Sequence, residues 1–195
     1  MIAKPSLLAS CAVLALSSLC AVPALAADAA RPLQTIESLT VPRYMGTWYE
    51  IAKFPNNFQK KCVSDTTATY QLRDDGRVKV VNRCRTANGD TDEAEAVARQ
   101  LGGATSPKLK VRFAPAFLSF IPMVWGDYWV VDLDGQYQLS AVSEPKREYL
   151  WILSRTPQVE PAVYDGLLAR LALQGLDVSR LVRTPQTQLQ QPGQQ

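Results

Sequence analysis

At 195 residues and 47% hydrophobic, the chain is long enough for one domain with its own core. A formal net charge of +3 without any Lys/Arg run gives no footprint for nucleic acid, and no such partner is expected. The complete lack of histidine excludes His-based general bases, Ser–His or Cys–His nucleophile pairs and the usual zinc sites. No metal, no cofactor and no enzymatic activity are expected of this chain.

Residues 1–26 read as an export signal: Lys4 is the positive start, Leu7 to Leu19 the apolar core, and Ala24-Leu25-Ala26 a small-x-small cleavage site. A spanning helix is the first rival, interrupted by Ser17, Ser18 and Pro23. The second is a lipoprotein, because Leu8-Ala9-Ser10-Cys11 has the look of a lipobox. That cysteine comes early, however, and Cys20 follows a leucine where a small residue is wanted. Cleavage after Ala26 and an exported, soluble product is the favoured reading. It leaves Cys62 and Cys84, read as a disulfide in an oxidising compartment, with two free thiols as the alternative. Closing that loop stabilises by about 3 kcal/mol in the chain-entropy picture.

Residues 27–40 show no period and are expected as an extended arm leading to a corner at Pro42. Gly46 permits a close turn, and Thr47 to Lys53 has strand character, with Trp48, Glu50 and Ala52 on one face. A polar loop with Phe54 and Phe58 follows, then a strand from Thr66 to Leu72. Asp75-Gly76 signals a hairpin whose return runs from Arg77 to Arg85, with Val78, Val80, Asn82 and Cys84 on one face. A two-residue turn there sets Cys84 opposite Thr67, so a bond to Cys62 requires the chain to bend back.

Glu93 to Leu101 has helical propensity but alternates at first; a strand is the chosen reading. Lys108 to Phe113 is the cleanest period-2 strand, and Ala114 to Trp125, with Pro115 and Pro122, is expected to pack as a loop. Three strands follow, Asp127–Asp132, Tyr137–Ser143 and Tyr149–Arg155. From Pro161, Val163, Tyr164, Leu167, Leu168 and Leu171 recur at helical spacing, and Gly175 can cap the end. Residues 185–195, rich in Gln and Pro, are expected as a disordered tail. The expected fold is all-β: an eight-stranded antiparallel up-and-down barrel over 41–184 with one C-terminal α-helix packed outside. Such a barrel either fills with side chains or holds one small ligand, and composition does not decide between these.

Three segments carry a resemblance. Gly46-Thr47-Trp48-Tyr49-Glu50-Ile51-Ala52, Gly126-Asp127-Tyr128-Trp129-Val130-Val131-Asp132 and Tyr149-Leu150-Trp151-Ile152-Leu153-Ser154-Arg155 resemble, in order, the three signatures of the lipocalins. The wording is nearest to the bacterial outer-membrane type and its apolipoprotein D-like relatives. The resemblance implies that Gly46, Trp48 and Arg155 are structural, with Trp48 across the closed end and Arg155 on its indole. Together with the period-2 faces it points Ala68, Tyr70, Val80, Asn82, Val111, Tyr128, Val130, Trp151 and Leu153 inward, with Phe58 at the mouth. It places Cys62 and Cys84 near the open end. It further implies a periplasmic binding protein, monomer or homodimer, for a fatty acid, lysophospholipid or similar hydrophobic molecule, with association to an outer-membrane surface left open. The rivals are a lipocalin-fold enzyme acting on a hydrophobic substrate, and an envelope scaffold for protein contacts.

Overall fold

The computed structural model describes residues 31–187. The expected signal (1–26), the first residues of the arm (27–30) and residues 188–195 lie outside the described residues. Among the described residues, no helix is long and apolar enough to cross a membrane.

Eight strands follow one another in hairpin succession: β1 (Gly46–Lys53), β2 (Cys62–Leu72), β3 (Val78–Thr86), β4 (Thr91–Gln100), β5 (Lys108–Arg112), β6 (Gly126–Leu133), β7 (Leu139–Ser143) and β8 (Leu150–Ser154). Each pairs antiparallel with the next, and β1 pairs with both β2 and β8, so the sheet closes on itself. Closure removes the exposed edges of those eight strands. The ambiguous segment is β4. Ala96 and Ala98 lie opposite Val80 and Val78 and are buried with them, so alternation against a neighbour overrides helical propensity.

The β2–β3 hairpin differs from expectation by one residue. The Arg73 N–H donates to Arg77 O (2.8 Å) and the Gly76 N–H to Arg73 O (2.9 Å), with Gly76 at φ +75°. Three residues, not two, therefore make the turn, and Thr67 lies opposite Arg83 rather than Cys84. The chain then bends back as the disulfide requires. Register shifts between Cys62 and Ser64 and between Ser64 and Thr67 bulge β2, with Asp65 at φ +53°. Cys62 and Cys84 come to a Cα separation of 5.5 Å and are bonded.

Apolar side chains divide into two cores. One fills the lower barrel around Trp48, Val130, Val142 and Leu153. The other lies outside, where α2 (Pro161–Leu173) packs Tyr164, Leu167 and Leu171 against Ile51, Ala52, Leu150 and Ile152. Ala52, expected on the face of Trp48, belongs to this outer core, because a register shift between Glu50 and Ala52 turns the strand over. Val163, expected in the helix's apolar set, faces solvent. The helix starts on Glu160, whose carboxylate accepts the Val163 N–H (3.1 Å), with Pro161 in its first turn. It stops where the Gly175 N–H donates to Ala172 O and the Leu176 N–H to Leu171 O.

After the helix, a two-residue strand β9 (Val182–Arg183) adds to β1. Pro185 to Thr187, expected as the start of the tail, is tied down: the Asp65 N–H donates to Pro185 O (2.8 Å), and Thr187 Oγ1 donates to the Asp65 carboxylate (2.7 Å). The arm is irregular, as expected, but not loose. Leu33 and Leu39 are buried, and a single helical turn, α1 (Val41–Tyr44), stands where a simple corner at Pro42 is expected.

Candidate functional site

One end of the barrel is sealed by a stack built on Arg155. Its guanidinium carbon lies 3.9 Å from the centre of the Trp48 ring, and the indole is fully buried. The same guanidinium donates to the carbonyls of Thr47 (2.9 Å), Arg43 (3.0 Å) and Met45 (2.7 Å). Tyr44 packs on Trp48 at 4.7 Å and accepts its indole N–H at the backbone carbonyl (2.9 Å). Gly46 sits at φ +93°, where any side chain is strained, and its hydrogen faces the Arg155 guanidinium, which a Cβ would meet at 3.4 Å.

Above the stack opens a cavity of about 860 Å³, a size typical of small-molecule sites. Ala68 and Tyr70 of β2, Val80 and Asn82 of β3, and Val111 of β5 line it. Tyr128, Trp151 and Leu153 complete the inward set, and Phe58 stands at the mouth, 73% exposed. Val130 does not line the cavity. It faces inward but lies below the cavity floor, fully buried, because the arm and the β4–β5 loop close there: the Ile36 N–H donates to Val130 O, and the Val130 N–H to Pro107 O.

Several wall residues are absent from the expected inward set. Glu50 and Val78 are legible by alternation with Trp48 and Val80. Tyr44, Gln59 and Trp125 are not, since they sit in a helical turn and two loops whose positions only the closed barrel defines. Glu50 is buried but paired: its carboxylate receives Lys53 Nζ (2.8 Å), Gln59 Nε2 (2.6 Å) and Thr184 Oγ1 (2.6 Å). Gln59 in turn accepts the Trp151 indole N–H (3.0 Å), which ties the β1–β2 loop to β8. Both cysteines of the disulfide line the upper wall.

Lower down, Tyr128 Oη lies 3.1 Å from Tyr44 Oη and 3.0 Å from Tyr70 Oη. Burial pushes the hydroxyls of all three tyrosines above their ordinary range. Desolvation acts the other way on Arg155, lowering its value from the ordinary arginine range.

Aromatic and apolar side chains crowd the mouth. Phe58 packs on Tyr149 (5.3 Å), which stacks on Trp151 (5.8 Å). Trp125 is held between the guanidinium groups of Arg99 and Arg112, at 4.5 and 5.2 Å from its ring centre. The β5–β6 segment forms no strand, as expected, but it packs only in part: two short 3-10 turns bring Trp125 to the wall, while Phe117, Phe120 and Met123 project into solvent, because the open end offers no protein surface to cover them.

A closed antiparallel barrel, an arginine on a tryptophan at its sealed end and an apolar cavity at the other together define a family. The model of the lipocalin-like domain matches residues 39–186. The chain belongs to the lipocalin family. Temperature-induced lipocalin-1 of Arabidopsis thaliana is 44% identical over 159 residues, covering 80% of this chain and 84% of that protein. The outer membrane lipoprotein Blc of Escherichia coli K12 is 38% identical over 164 residues, covering 84% and 85%. Among solved structures, insecticyanin of the tobacco hornworm shares the fold at a TM-score of 0.60 and 20% identity, covering 78% of this lipocalin and 83% of that chain.

Proposed function

We propose that this lipocalin is an exported, non-enzymatic carrier of one hydrophobic molecule, a fatty acid, lysophospholipid or compound of similar size, in upkeep of the cell envelope. The observation that carries the reading is the cavity itself, which is apolar, sealed at one end and open at the other. Binding there is driven by desolvation of the acyl chain, at about 25 cal/mol per Å² of apolar surface removed from water. In a fluorescent-lipid displacement assay, long-chain lipids bind with sub-micromolar to micromolar affinity. No displacement by any lipid of this class would falsify the reading.

Against catalysis stands the chemistry of the wall. Cys84 is bonded to Cys62 and carries no free thiol, and the cavity tyrosines are held protonated by burial. The exposed Phe117, Phe120 and Met123 beside the mouth support association with a membrane surface, and the name of the Escherichia coli relative, an outer membrane lipoprotein, supports the outer membrane as that surface. Replacing all three by serine should reduce co-sedimentation with phospholipid vesicles several-fold and leave lipid affinity in solution unchanged; equal sedimentation of both proteins excludes this loop as the contact.

A further inference from the structure

Four hydroxyl groups form one continuous line in the lower barrel, from Tyr70 through Tyr128 and Tyr44 to Ser140. The Oη–Oη distances are 3.0 Å (Tyr70 to Tyr128) and 3.1 Å (Tyr128 to Tyr44), and Tyr44 Oη lies 3.0 Å from Ser140 Oγ. At the far end Ser140 Oγ is 3.3 Å from the backbone carbonyl of Asp132, which can only accept. Each hydroxyl has one proton to give, so that carbonyl sets the direction of the whole line. Ser140 donates to Asp132 O, Tyr44 to Ser140, Tyr128 to Tyr44, and Tyr70 to Tyr128. All four protons are then spent. What the line offers to the cavity is the remaining lone pair of Tyr70, an acceptor.

A second observation has the same sense. Asn82 Oδ1 and Thr66 Oγ1 are buried in the wall of the same cavity without a hydrogen-bond partner, and Thr66 as a whole is 5% exposed. Asn82 lies opposite Ala68 on β3, one inward position closer to the mouth than Tyr70. Asn82 Oδ1 can only accept, whereas the Thr66 hydroxyl can give or accept; both are costly to leave unpaired, and a ligand hydroxyl, itself donor and acceptor, would satisfy either.

An anionic end finds no unspent cation at this depth. Arg155 is spent on backbone carbonyls behind the Trp48 ring, and Lys146 lies at the rim. A carboxylate set against Tyr70 would meet an acceptor there unless the whole line reversed and gave up the bond to Asp132 O.

From this we infer that the inner half of the cavity is a subsite for a neutral hydrogen-bond donor, and that the ligand is a long-chain amphiphile carrying a hydroxyl at its buried end, with any anionic head at the mouth. The inference rests on the carrier reading above and narrows its ligand class.

Hexadecanoic acid and 16-hydroxyhexadecanoic acid are the test pair, compared by displacement of one fluorescent lipid from the wild-type protein and from a Tyr70→Phe/Tyr128→Phe variant. The variant removes both hydroxyls of the Tyr70–Tyr128 bond at nearly constant shape and leaves Tyr44 donating to Ser140, short only of the bond it accepts from Tyr128; a melting temperature well above that of the assay checks that the variant is folded. In the wild type the hydroxylated acid binds at least as tightly as the plain one. In the variant it weakens by about five- to tenfold relative to the plain acid. A plain acid that binds tenfold or more tightly than the hydroxylated one in the wild type overturns the inference, as does a ratio that the double substitution leaves unchanged. Failure of both acids to displace the probe overturns the carrier reading, and the subsite falls with it.

Discussion

Arg155 does two jobs through one planar group: it covers Trp48, and it gathers the carbonyls of Arg43, Met45 and Thr47 at the entry to β1. An ammonium has neither the plane nor the fork of donors for this. Arg155→Ala should cost about 3 kcal/mol, from the cation–π contact and the charged hydrogen bonds together; Arg155→Lys should lose at least half of that. Denaturant midpoints measure both, and lipid affinity should hold in the lysine variant, because Arg155 lies beneath the floor. The buried tyrosines give a pH dependence of definite sign. Tyr44, Tyr70 and Tyr128 keep their protons in the folded chain at a pH where the unfolded chain gives them up. The stability they confer is whole below about pH 10 and declines as pH rises further. A urea midpoint that is flat up to about pH 10 and falls beyond it is the expected result. Native tyrosinate absorbance at that point should lack three of the seven tyrosines.

At the scale of elements, the helix and the bulged strand each have one decisive feature. Leu167 of α2 is fully buried against the outer face of the barrel, whereas Leu173 is 87% exposed. Leu167→Ala should destabilise by about 2–5 kcal/mol and Leu173→Ala by almost nothing, as thermal or denaturant unfolding would show. The apolar spacing of the helix made Leu167 and Leu171 legible in the sequence but also suggested Val163, which the packing direction leaves outside. In β2 the position of the disulfide depends on two register shifts that alternation cannot announce. A double Cys62→Ser/Cys84→Ser variant should lose about 3 kcal/mol of stability. The bond lines the upper cavity wall, so the same variant should also show altered lipid affinity in the displacement assay; identical affinity would mean that the wall holds its shape without it.

For the whole molecule, strand order and closure followed from local rules. Eight alternating runs joined by turns, without helices long enough for parallel crossovers, leave few ways to hide strand edges, and a barrel is the simplest. Period 2 taken together with the family resemblance set the inward positions from Ala68 to Leu153: every second side chain of a closed sheet shares one side, and the resemblance says which side. Depth along the barrel is another matter. Val130 alternates correctly yet lies below the cavity, since the arm and the β4–β5 loop, far away in sequence, close beneath it. The line of hydroxyls from Tyr70 to Ser140 joins three strands and α1, and no spacing within any one of them could foretell it. Alternation is a property of the backbone, so the faces were readable residue by residue. The size of the cavity, its floor and its polar end are properties of the gaps between elements, and those gaps exist only once the sheet has closed.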